Sequence, residues 1–157
     1  MAHWKWDSTF SVGISAIDEQ HKRIIDYIND LYFAGIHRDF ERIQSVLLGL
    51  LDYTVSHFSF EEHLMEEAGY HRIAAHKEIH NAFINRIHYF KERFERPENI
   101  GKELGMELQI WLIHHIQHED ADYKEMVQAM LRKQQLSAEE KQSEEGFLAI
   151  LVDKFFK

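Results

Sequence analysis

Cysteine is absent from the 157 residues, which excludes a disulfide framework, a thiolate metal site, an iron–sulfur cluster and a cysteine nucleophile. Proline occurs once, at Pro97, and glycine only seven times. With β-branched residues also scattered, there is little to punctuate or build a sheet. Positive charge is in deficit. Eighteen Lys and Arg against 27 Asp and Glu leave a net charge of −9, a field that repels phosphate backbones, so nucleic acid is not an expected partner. No apolar run approaches the length of a transmembrane span, and residues 1–10 lack the apolar stretch of a secretory signal; the expected compartment is cytoplasmic. What the chain has in excess is histidine, twelve in all.

Apolar residues recur at spacings of three and four, and the pattern predicts an all-α fold. A first helix is expected from residue 17 or 18, behind a capping-box pattern at Ser15 and Asp18, with Ile24, Ile28, Leu31 and Tyr32 on one face and a stop near Gly35. A second, over about residues 39–68, carries Ile43, Leu47, Leu50, Thr54, His57, Glu61 and Leu64 and ends at Gly69. A third, over about residues 72–95, carries Ile73, His76, His80, Phe83, Ile87 and Phe90, with Pro97 as its stop. A fourth, over about residues 100–133, carries Leu104, Leu108, Trp111, Leu112, His115, Met126 and Met130. Four long helices with short connections make an up-down-up-down four-helix bundle, here with a C-terminal helical extension. The expected organisation is residues 1–133 as the bundle, preceded by an aromatic arm with Trp4, Trp6 and Phe10, and residues 134–157 as the extension.

The stripes contain residues that do not belong in an aliphatic core. His57 and Glu61, like His76 and His80, are four apart, so each pair lies about 40° apart around its helix and can reach one metal site. His21, His57, Glu61, His76, His80 and His115 come from four different helices and fall on or beside the faces that must be buried. Stacking so many polar groups in a core without a shared partner costs several kcal/mol, on the order of 1–3 for each unsatisfied group. A metal centre resolves the conflict. Imidazole with carboxylate and no sulfur fits iron, manganese, zinc or copper rather than calcium. Five imidazoles and one or two carboxylates exceed the needs of one tetrahedral ion and would suit two bridged ions. A shell so rich in neutral imidazole favours reversible binding over oxidation of a substrate.

The ordered set Ser11-Val12-Gly13-Ile14, Asp18-Glu19-Gln20-His21, His57-Phe58-Ser59-Phe60-Glu61-Glu62, Leu64-Met65, Gly69-Tyr70, His76-Lys77-Glu78-Ile79-His80, Trp111-Leu112, His115-Ile116, Asp120 and Tyr123 resembles the hemerythrins, specifically the bacterial hemerythrin-like proteins. The resemblance implies a centre of two non-haem iron ions, oxo- or hydroxo-bridged. In it His76, His80 and His115 hold one iron, His21 and His57 the other, and Glu61 and Asp120 bridge them. It also implies dioxygen as the ligand, bound reversibly for storage, delivery or sensing, with no catalytic residue and no organic substrate. Spacing and resemblance disagree at one position, since Glu119, four residues after His115, repeats the spacing of His57 and Glu61, whereas Asp120 is five away. The resemblance selects Asp120, which a local π-like turn would bring inward. Among the unmatched histidines, most are expected at the solvated surface, and His118, one turn beyond His115, is the one candidate for a supporting role.

In the extension, Ser137, Ala138, Glu139 and Glu140 have capping-box form, and the apolar run over residues 147–156 covers most of a helix circumference. Docking on its own bundle is the first expectation; a homodimer contact or a protein partner through residues 146–157 is the alternative. Two other functions compete with dioxygen carriage: a di-iron enzyme acting on peroxide or nitric oxide, and an oxygen- or redox-responsive signalling module working through the C-terminal helix.

Overall fold

Apolar stripes become helices where sequence spacing places them. In the computed structural model, which describes residues 3–94, 100–137 and 144–156, these are α1 (Ser15–Ile36), α2 (Phe40–Ala68), α3 (Ile73–Phe94), α4 (Gly101–His114), α5 (Ala121–Ser137) and α6 (Glu144–Phe156). One π-helical turn, His115–Asp120, joins α4 to α5 without interruption, and a short 3₁₀ turn, Ser8–Phe10, lies in the N-terminal arm. No strand occurs among the described residues. α1 packs on α2 and on α4, and α2 packs on α3, giving the four-helix bundle with α4, the π turn and α5 as its last limb. The described residues include no helix long and apolar enough to cross a membrane. The expected stop at Pro97 and the capping box at Ser137 through Glu140 involve segments outside the described residues.

The ends of the helices follow local chemistry, with one departure from expectation. Asp39 caps α2 by accepting from the Arg42 amide at 3.1 Å. Gly69, left-handed at φ 68°, closes α2 as Tyr70 N donates to Met65 O at 2.9 Å. The expected capping box on α1 does not form: the helix begins at Ser15 behind Ile14, without a side-chain cap. Asp18 reaches out of the helix, accepting from the Val12 amide at 2.9 Å and the Ser11 hydroxyl at 2.6 Å, and so ties down the arm. α1 ends at Ile36, one residue past Gly35 and beside the expected stop. Gly35 has a second part to play. It lets α1 meet α4 closely, since a Cβ on Gly35 would lie 2.3 Å from Lys102 N and one on Gly101 would lie 2.8 Å from Leu31 O.

The expected stripes of α1 and α2 are buried throughout, as are His76, His80, Phe83, Ile87 and Phe90 on α3. In the last limb the pattern holds through His115 and then slips by one residue. Tyr123, Val127 and Leu131 are buried, while the expected Met126 and Met130 are only partly so. The π turn causes the slip, because it spends one more residue per turn than an α-helix. The aromatic arm packs over the bundle, where Trp4 exchanges two hydrogen bonds with Asn29, at 2.9 and 2.8 Å, and Phe10 is buried. α6 lies against α2, α5 and α1 with Leu148 and Leu151 buried, so the apolar run of the extension is directed onto its own bundle.

Candidate metal centre

Ionisable side chains interrupt the aliphatic core on α1, α2, α3 and the last limb, and they meet. His76, His80, His115 and Asp120 offer ligand atoms that all lie within 4.8 Å of one another. His21, His57 and Glu61 form a second group by the same measure, and all seven side chains are buried. The two carboxylates join the groups. Asp120 Oδ2 is 3.2 Å from His21 Nε2, while its Oδ1 lies 3.1 Å from His115 Nε2 and 3.2 Å from His76 Nε2. Glu61 Oε1 lies 2.5 Å from His57 Nε2 and 4.0 Å from His80 Nε2.

These approaches are not a network of hydrogen bonds. His21 Nε2, His57 Nε2, His76 Nε2, Glu61 Oε1 and both Asp120 oxygens are buried without a hydrogen-bond partner, and their residues make up the two groups of clustered ligand atoms. His80 Nε2 and His115 Nε2 face each other at 3.2 Å, where at most one of them can carry a hydrogen. Neither carboxylate meets a Lys or Arg among the described residues, so the groups beside the two buried acids are imidazoles. Five imidazoles and two carboxylates with orphaned, converging lone pairs fit a pair of borderline transition-metal ions.

The electrostatics point the same way. Burial alone would raise the Asp120 carboxyl, but His115, His21 and His76 beside it hold it well below the usual carboxylate range. Burial alone would lower His115, yet Asp120 and Glu119 push it up to about 10, whereas burial pushes His80 down to about 3. The carboxylates thus draw positive charge into a place where burial resists it, which is the field a metal cation satisfies.

The π turn decides which acid enters. Between His115 and Asp120 the five-residue step returns to the same face, so Asp120 is fully buried among the imidazoles. Glu119, favoured by ideal helix spacing, turns to the rim, with Oε1 3.8 Å from His115 Nδ1 and Oε2 3.7 Å from His114 Nε2. His118 is exposed and rests on the His114 ring at 4.4 Å, away from the cluster.

Three neighbours of the cluster carry roles that sequence reasoning passed over. Gln20 Oε1 accepts from His57 Nδ1 at 2.6 Å, and Glu62 Oε2 accepts from His80 Nδ1 at 2.8 Å. Each acceptor fixes the hydrogen on Nδ1 and leaves Nε2 bare toward the centre. Tyr123 donates to Glu61 Oε2 at 2.5 Å; burial and then the charges of Glu61 and Asp120 keep its hydroxyl well above the usual phenol range. Gln20 and Glu62 directly adjoin His21 and Glu61 in sequence, which was the available signal. On the far side Phe58 stacks on His80 at 3.8 Å and Trp111 on His115 at 4.5 Å, with Leu112 and Ile116 buried behind them.

Comparison with known proteins agrees with this arrangement. The sequence profile of the hemerythrin HHE cation binding domain matches residues 12–127. A bacteriohemerythrin of Pseudomonas aeruginosa is 42% identical over 156 residues, 99% of each chain, and one of Stenotrophomonas maltophilia is 41% identical over the same share. A bacteriohemerythrin of Methylococcus capsulatus is 30% identical over 125 residues, 78% of this chain and 95% of that protein. The crystal structure of a wild-type hemerythrin superposes with a TM-score of 0.75 at 28% identity, covering 80% of this chain and 98% of its own.

Proposed function

The chain belongs to the hemerythrin family, and from that premise we propose that it binds dioxygen reversibly at a non-haem di-iron centre, as a carrier, store or sensor rather than an enzyme. The observation that carries the proposal is the pair of fully buried carboxylates, Asp120 and Glu61, each reaching both groups of imidazoles. His76, His80 and His115 would hold one iron, His21 and His57 the other, with Asp120 and Glu61 between them. Two ferrous ions together supply the two electrons that dioxygen takes up on binding and returns on release.

The chain's own contribution is orientation and exclusion. Gln20 and Glu62 hold the His57 and His80 rings in the tautomer that presents a bare Nε2 inward. Tyr123 donates to Glu61 Oε2 and leaves Oε1 toward the imidazoles. Phe58, Trp111, Leu112 and Ile116 wall the site with apolar surface, keeping out the water and protons that would make binding irreversible. The reading places the protein in the cytoplasm.

Metal analysis with an anaerobic optical titration tests the reading. About two irons per chain are expected, with a nearly colourless reduced form that gains charge-transfer absorption in air and loses it on deoxygenation. A folded protein grown with ample ferrous salt that binds no iron, or one whose absorption never reverses, would overturn it. A signalling role has one observation in its favour: α6 packs its Phe155 and Phe156 rings on Phe60, the immediate neighbour of Glu61. Proteolysis of residues 134–157 should differ between reduced and oxygenated protein under that reading, and an equal rate would remove it.

A further inference from the structure

Outside the buried cluster, the last limb carries a second pair of metal-ligating side chains. His114 and His118 are four residues apart, about one turn, and their ring centroids lie 4.4 Å from each other. His76 and His80 on α3 have the same spacing, with centroids 4.5 Å apart, and both belong to the buried group of ligand atoms. The arrangement thus occurs twice, once inside the bundle and once at its surface. The His114 side chain is 67% exposed and His118 is exposed too, so an ion from solvent reaches the outer pair and the rings can turn toward it. Two carboxylates stand nearby. Glu119 Oε2 is 3.7 Å from His114 Nε2, and His118 shares with Glu119 and Asp122 the wall of a hollow of about 330 Å³, which has room for the water ligands of an ion. Asp122 is engaged by the Tyr70 hydroxyl and, at 3.8 Å, by Arg72, which leaves the two imidazoles as the anchor.

We propose that His114 and His118 form a surface site for one divalent transition-metal ion, held by both imidazoles, with water completing its coordination. Once one ring has bound the ion, the other is presented at high effective concentration from the adjacent turn, as in helical metal motifs that use two histidines four apart. Imidazole selects nickel, copper and zinc over magnesium and calcium, which prefer oxygen ligands. Negative charge from Glu119 and Asp122, within a protein of net charge −9, favours a cation at this place. None of the seven side chains of the buried cluster takes part, so the site does not rest on the function proposed above.

Calorimetric titration of the iron-loaded full-length protein with Ni²⁺ under argon reads the outer pair while the buried cluster is occupied. Saturable binding of about one Ni²⁺ per chain is expected, with the iron content unchanged and no displacement by an excess of Mg²⁺ of about a hundredfold. His114→Gln and His118→Gln should each weaken it by about tenfold or more, because each removes one arm of the chelate. His88→Gln, which alters an exposed histidine on α3, should leave it unchanged. Both members of the pair are exposed, so their variants keep the core intact. Absence of saturable Ni²⁺ binding, release of iron as Ni²⁺ binds, or an affinity unchanged in either variant of the pair would overturn the site. A protein that never takes up iron would overturn the function proposed above, and a Ni²⁺ site lost in His118→Gln would still establish the surface pair.

Discussion

Tyr123 and Glu61 are 62 positions apart in sequence, both fully buried, and joined by a 2.5 Å hydrogen bond from the phenol to Oε2. The bond links the last limb to α2 at the one carboxylate that serves both imidazole groups through its other oxygen. Tyr123→Phe removes the donor and little volume. It should cost about 1–2 kcal/mol of stability and speed iron release to a chelator by about tenfold. Thermal melts and chelator kinetics check the two effects separately, and unchanged release would show that the phenol does not hold Glu61 in place.

Asp120 and Glu119 are the discriminating pair for the π turn. Asp120→Asn retains the shape but removes a charge from the centre of the cluster, and iron stoichiometry should fall, with at least about tenfold weaker retention. Glu119→Gln sits at the rim, 3.8 Å from His115 Nδ1, and should leave the stoichiometry unchanged. The reverse result would return the ligand to the position that ideal helix spacing selects.

Gly101→Ala tests the close crossing of α1 and α4. Alanine is the better helix former by about 1 kcal/mol, so an exposed site would gain stability. Here the new Cβ would meet Leu31 O at 2.8 Å and Gly35 Cα at 2.9 Å, both backbone atoms that cannot swing aside. A net loss of about 1–3 kcal/mol is expected, read as a lower melting temperature.

Tyr53 provides a pH test. Burial pushes its hydroxyl up to about 12, above an unfolded value of about 10. A raised folded value means that its contribution to stability is complete below about pH 10 and is lost as pH rises toward about 12. Denaturant melts should therefore show an alkaline decline that is shallower in Tyr53→Phe, and tyrosinate absorbance should count one late-titrating phenol fewer in that variant than in the wild type, where Tyr70 and Tyr123 are raised as well.

Helix positions, bundle class and the burial of the histidine-bearing stripes were legible because they depend on periodicity, which survives in any well-packed amphipathic helix. Burial of His57, Glu61, His76, His80 and His115 followed from their place in those stripes. Two kinds of feature escaped. Gly35 reads as a stop, and α1 ends beside it, but its close approach to α4 depends on a second helix that no local rule can see. Met126 and Met130 read as core because an ideal helix carries the stripe there from His115, and a single widened turn moves the stripe to Val127 and Leu131 instead. Periodicity has no means of detecting an extra residue inside an otherwise regular pattern. Residue resemblance did, by selecting Asp120.

That extra residue has a further reach. Winding residues 115–120 as regular α-helix, with no residue removed, would swing everything downstream by about 100° about the helix axis. Asp120 would leave the cluster, and in the same motion Tyr123, Val127 and Leu131 would rotate toward solvent, carrying with them the surface on which α6 rests. The inward placement of Asp120 and the seating of the C-terminal half are therefore set by the same widened turn.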